Sequence, residues 1–140
     1  MILLDTNVLS EPLRPAPHQG VVDWIDRQAM ETLYLAAVTV AELRYGVACM
    51  PSGKRRDGLH AALENKVLPL FTGRVLAFDL AATQVYAEVM ANARAQGQAI
   101  ALADGLIAAT ARAHGMAVAT RDTQPFEAAG VSVINPWGLG

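Results

Sequence analysis

Short apolar runs bounded by polar or turn residues punctuate the chain at residues 2–4, 33–38 and 116–120, and they predict buried strands. Residues 131–134 repeat the pattern before Asn135-Pro136, and residues 75–78 read as a strand or an extended connection. Between these runs the period changes. Val21, Val22, Ile25 and Ala29 recur at helical spacing, as do Leu59, Leu63 and Val67, and then Leu80, Val85, Val89 and Ala93. Thr39 with Glu42 three residues later has the form of a capping box opening a helix over residues 40–50, which Pro51 and Gly53 end. A further helix is predicted over residues 100–113, stopped by Gly115 just before the strand at Met116. Strands alternating with helices predict an α/β fold with a mostly parallel central sheet and helices on both faces. In that architecture a functional site lies beyond the carboxyl ends of the strands.

Composition narrows the function classes. A chain of 140 residues with 53% hydrophobic and 17% charged residues is not intrinsically disordered, and it suits one domain spanning residues 1–140. Its apolar composition favours self-association. Lys and Arg total 11 against 13 Asp and Glu, so a net charge of −2 argues against coating nucleic acid by bulk electrostatics. The sole cysteine, Cys49, cannot form an intramolecular disulfide, and His18, His60 and His114 do not form a zinc-like pattern with it. With neither a signal-peptide pattern at the start nor an apolar run of about 20 residues, the expected setting is soluble and cytoplasmic.

Four acids stand at unusual places. Asp5 ends the first predicted strand, where it either caps the following helix or emerges at the sheet edge. Asp104 is the only charged residue between Ala95 and Ala111, in an otherwise apolar helix; an ion pair with Arg94 or Arg112 would be its structural explanation. Glu42 is explained locally by the capping box, and Asp122 by a turn. Asp23, Asp26, Glu64 and Glu88 fall on polar helix faces and read as solvated. With a parallel sheet, however, Asp5 and Asp122 at strand ends and Glu42 and Asp104 near helix starts converge on one edge. Four converging carboxylates repel unless they take up protons or bind cations, and an oxygen-only cluster suits Mg²⁺ or Mn²⁺. Such a pocket serves phosphoryl transfer by metal-activated water, which makes a metal-dependent nuclease the leading reading.

The ordered blocks Met1-Ile2-Leu3-Leu4-Asp5-Thr6-Asn7, Thr39-Val40-Ala41-Glu42-Leu43-Arg44-Tyr45-Gly46, Ala103-Asp104-Gly105-Leu106-Ile107, Ala119-Thr120-Arg121-Asp122 and Asn135-Pro136-Trp137 resemble a PIN domain. They resemble most closely the toxin ribonucleases of the VapC and FitB type, along nearly the whole chain. The resemblance implies a three-layer α/β/α domain, a homodimer, Mg²⁺ or Mn²⁺ dependence, RNA as substrate and a protein antitoxin as partner in a type II toxin-antitoxin system. It implies Asp5 and Asp104 as main metal ligands, Glu42 as the residue completing the cluster and Asp122 as a supporting acid. Asn7 and Thr120 are implied as hydrogen-bonding support behind the ligands. In one respect the sequence departs from the pattern. Many relatives of this subgroup carry Asn where Asp122 stands and an Asp just before the Phe matched by Phe126, where this chain has Pro125. This leaves open whether Asp122 meets metal directly, through water or not at all.

Positive charge is expected to rim an acidic pocket that admits RNA, with Arg14, Arg44, Arg121 and the run Lys54-Arg55-Arg56 as candidates. The run also reads as a solvated helix start. Tyr45 and Phe126 are the aromatic residues best placed to stack a base, though both also read as packing residues. Rival readings are a metal-dependent DNA nuclease or phosphatase on the same acids, and a catalytically silent partner-binding module in which Asp5 and Asp104 are only capped or salt-bridged.

Overall fold

The computed structural model describes residues 1–138. Each apolar run forms a strand, the first over its full length and the others shorter than their hydrophobic pattern: β1 (Ile2–Leu4), β2 (Leu33–Ala36), β3 (Val75–Leu76), β4 (Ala117–Ala119) and β5 (Val133–Ile134). They pair in parallel in the order β3-β2-β1-β4-β5. The earliest strand is therefore central, with Leu3 beside Tyr34 of β2 and Val118 of β4. Parallel pairing requires crossovers, and the helices supply them. They are α1 (Thr6–Ser10), α2 (Gln19–Arg27), α3 (Ala37–Ala48), α4 (Lys54–Ala62), α5 (Leu80–Ala95), α6 (Leu102–Ala113) and α7 (Thr123–Ala128).

Successive strand residues point to opposite faces, so Leu3 and Leu4 feed two separate cores. Leu3 packs with Val89, Ile107, Val118 and Phe126 from the α5, α6 and α7 side. Leu4 packs with Val8, Trp24, Leu43, Leu63 and Phe71 on the other face. The result is the expected α/β/α sandwich. Gly105 permits its tightest helix contact, since a Cβ there would stand 2.8 Å from the Met90 sulfur of α5. Gly115, at φ +65°, ends α6 as its position before β4 predicts. Among the described residues no helix is long and apolar enough to cross a membrane.

The capping box does not form. Strand β2 runs straight into α3, whose first residue is Ala37, so Thr39 lies in the third helical position and Ala36 occupies the cap with no side-chain hydrogen bond. The Thr39 hydroxyl is buried without a partner, and Glu42 stands further along the helix than the box requires.

Candidate active site

Asp5 is fixed from several directions as the chain leaves β1. Its backbone N–H donates to the Ala119 carbonyl at 2.9 Å, extending the pairing with β4. Its Oδ1 accepts the Thr6 N–H at 2.8 Å, and its Oδ2 accepts the Thr120 hydroxyl at 2.7 Å. The capping role and the sheet-edge position are both real. The Asn7 amide adds a longer contact of 3.5 Å to Oδ2, and Thr120 Oγ1 in turn accepts the Asp122 N–H at 3.1 Å. Asn7 and Thr120 thus both contact Asp5 Oδ2.

Glu42 reaches the same edge from α3, its Oε1 accepting the Thr6 hydroxyl at 2.5 Å. Asp104 arrives in the first turn of α6, where the helix N-terminus favours negative charge. Asp122, exposed, follows β4. Asp104 and Asp5 both respond to acids nearby. Burial, followed by the charges of Asp5, Asp122 and Glu42, pushes the Asp104 carboxyl up to about 6. Asp5 is also raised, chiefly by burial, with the charges of Glu42 and Asp122 adding to it and the bonds from Thr120 and Thr6 opposing it. The ion pair considered for Asp104 does not exist among the described residues, whose ion pairs are Arg14–Glu11 and Arg44–Glu64. Arg112 instead donates to the Ala129 carbonyl at 3.3 Å.

The basic rim differs from expectation. Arg44 donates two bonds to Glu64, at 3.1 and 2.8 Å, so it is committed and Glu64 is not merely solvated. Tyr45 is 72% exposed, whereas Phe126 is wholly buried in the core. Lys54-Arg55-Arg56 opens α4, as the solvated-helix reading has it. Arg14 holds Glu11, a buried carboxylate that sequence reasoning missed. The His18 backbone N–H, at 3.0 Å, holds the Glu11 carboxyl below its usual range; burial opposes this and Arg14 adds to it. Glu11 and Arg14, three apart, read locally as a surface pair, and no local signal announces the burial. A groove of about 290 Å³ between α3 and α4 is lined by Arg44, His60 and Glu64 and by none of the four acids.

With this geometry in place, residues 2–131 match the sequence profile of the PIN domain. The chain belongs to the PIN domain family. It is 61% identical over 137 residues to the plasmid stability protein StbB of Pseudomonas syringae pv. tomato, covering 98% of this chain and 99% of the relative. It is 60% identical to the VapC ribonuclease Y4jK of Sinorhizobium fredii, covering 98% of each, and 56% identical to Toxin FitB of Neisseria gonorrhoeae, covering 98% and 99%. Among solved structures, FitAcB from Neisseria gonorrhoeae superposes with a TM-score of 0.96 at 55% identity, over 99% of this chain and 100% of that one. FitAB bound to an IR36 DNA fragment gives 0.96 at 54%, over 100% and 98%.

PIN domain nucleases use a divalent metal, and the donor set here can be tested against one. All the candidate ligands are carboxylate oxygens, and Asp5 and Asp104 are raised by burial first and by neighbouring acids second, both of which a bound cation would offset. Among the described residues no group of three or more Asp, Glu, His or Cys side chains is arranged to cage an ion by itself. An all-oxygen donor set is the kind that suits a hard divalent cation.

Proposed function

We propose that this PIN domain, acting as a single unit, is a Mg²⁺- or Mn²⁺-dependent endoribonuclease and the toxin of a type II toxin-antitoxin system. The observation that carries the reading is the meeting of Asp5 with Asp104, Glu42 and Asp122 at one sheet edge, where burial first and the neighbouring charges second raise Asp104 to about 6 without a cationic partner. Asp5 and Asp104 would hold the ion, Glu42, oriented by the Thr6 hydroxyl, would complete the acidic cluster and position water, and exposed Asp122 would support the site. Thr120 donates to Asp5 and so keeps the other lone pairs of that carboxylate directed to the site. A bound divalent cation lowers the pKa of the attacking water and neutralises charge at the scissile phosphate.

The relatives named VapC ribonuclease and Toxin FitB support the activity and the biological role. The structures of FitAcB and of FitAB on DNA support a cognate antitoxin as partner, and DNA binding by the complex. Exposed Leu80 and Leu102 supply apolar area for a homodimer, and exposed, unbridged Cys49 suits the reducing cytoplasm.

The deciding experiment incubates purified, inhibitor-free protein with an RNA mixture and Mn²⁺ and maps the cut ends, with DNA and a phosphomonoester in parallel. RNA is cleaved, and Asp5→Asn and Asp104→Asn abolish the cleavage. Cleavage persisting in EDTA overturns the metal mechanism. Preferential turnover of DNA or the monoester overturns the choice of RNA, and no turnover of any substrate leaves a silent binding module.

A further inference from the structure

An edge that carries four carboxylates repels the phosphates it is meant to cut, so a cation has to stand beside it. Of the arginines first considered for that role, Arg14 is committed to Glu11 and Arg44 to Glu64, and Arg55 and Arg56 belong to the start of α4. Arg121 is exposed and makes no ion pair among the described residues. It is nonetheless held in place. Its backbone N–H donates to Asn7 Oδ1 at 3.2 Å, and the amide nitrogen of the same Asn7 contacts Asp5 Oδ2 and Thr120 Oγ1. Its guanidinium carbon lies 5.2 Å from the centroid of the Trp137 ring, within cation–π range. Trp137 is itself packed against the core on the Leu4 side and stands beside the His18 ring, 6.5 Å away and tilted by 51°.

The topology places this assembly. Asp5 follows β1, Arg121 follows β4 and Trp137 follows β5, and these strands are consecutive neighbours whose carboxyl ends share one edge. Neighbouring strands lie about 4.8 Å apart, so the Arg121 side chain, leaning toward the β5 side, stands one or two strand spacings from the carboxylates. That is the reach of a neighbouring nucleotide rather than of the scissile phosphate. The charge of Arg121 is felt by the buried Glu11, but no carboxylate pairs with it directly, and a guanidinium without an ion pair, held beside an indole ring, keeps donors available for phosphate oxygens.

We infer that Arg121 is a phosphate clamp for the nucleotide next to the cleaved bond of a single-stranded RNA, and that Trp137 is its positioning residue. The choice of RNA rests on the ribonuclease reading, and the clamp is tested without any cleavage. The full chain and its variants are titrated in EDTA against a fluorescent oligoribonucleotide of about twelve nucleotides, across a salt series, with melting curves to confirm folding. Arg121→Gln weakens binding by about five- to ten-fold and makes the salt slope shallower by roughly 0.7, the value for one phosphate contact on a single strand. Trp137→Leu weakens it to a similar degree, Trp137→Phe restores most of the affinity, and the double variant Arg121→Gln/Trp137→Leu binds no worse than Arg121→Gln alone. Arg27→Gln, a charge loss elsewhere, serves as control and binds as the parent does. Parent-like affinity and salt slope in Arg121→Gln overturn the clamp, as does failure of the parent to bind at low salt. Additive losses in the double variant overturn the positioning role of Trp137. A chain that binds RNA through Arg121 yet cuts nothing refutes the nuclease and keeps the clamp; one that cuts RNA while Arg121→Gln binds normally does the reverse.

Discussion

Asp104 and Glu11 show how the same side-chain chemistry is turned in opposite directions by its neighbours. The Glu11 carboxyl is stabilised in its charged form by the His18 N–H and Arg14, so its contribution to stability is present at neutral pH and fades as the pH falls. Asp104 behaves the other way. Its folded-state value of about 6 lies above that of the unfolded chain, so the folded protein holds the extra proton. The stabilisation from that proton is complete below the unfolded value and is lost as pH rises through about 6. Metal-free Asp104→Asn is therefore expected to melt above the parent at pH 7.5, with the advantage shrinking toward pH 4; equal differences at both pH values would contradict the raised carboxyl. The same proton competes with a cation, so Mn²⁺ affinity is expected to fall as pH drops below about 6, measured by titration calorimetry. Thr120→Val removes the hydroxyl that donates to Asp5 and is expected to cost about 10- to 100-fold in Mn²⁺-dependent cleavage, measured as initial rate on RNA.

At the scale of elements, the junction of β2 and α3 carries a cost that substitution can relieve. The buried Thr39 hydroxyl has no partner, so Thr39→Val is expected to stabilise the fold by about 1 kcal/mol in a urea titration. Where α5 meets α6, Gly105→Ala drives a methyl into the Met90 sulfur. Its overpacking cost of about 1–3 kcal/mol exceeds or matches the roughly 1 kcal/mol gained in helix propensity, so the melting temperature is expected to drop. With Met90→Ala the two effects should couple rather than add. These elements also show what the sequence discloses. The five strands and the longer helices were legible, because period follows from the chain itself, as was the strand-end position of Asp5; the short helix α7 left no such trace. The capping box was misread because Thr39 and Glu42 match it locally, while the start of α3 is set by β2 running into Ala37 without a loop. The Arg44–Glu64 pair joins residues 20 apart, and burial of Glu11 depends on how residues 11–18 fold back; neither leaves a periodic trace.

For the whole molecule, a ligand that binds only the folded state must raise its stability. Mn²⁺ at a hundred times its dissociation constant is expected to add about 2.7 kcal/mol to the parent, seen as a higher melting midpoint, and much less to Asp104→Asn. A parent midpoint indifferent to Mn²⁺ and to EDTA would remove the cation from the site. The sheet order has one more consequence. Asp5 is synthesised 115 residues ahead of Thr120, which follows the strand β4 that places it beside Asp5. A nascent chain still on the ribosome, with that stretch unmade or inside the exit tunnel, has its earliest acid without the neighbours that make it a site. Whatever the carboxylates do, they can begin only once residues 117–122 have been made and have folded against β1.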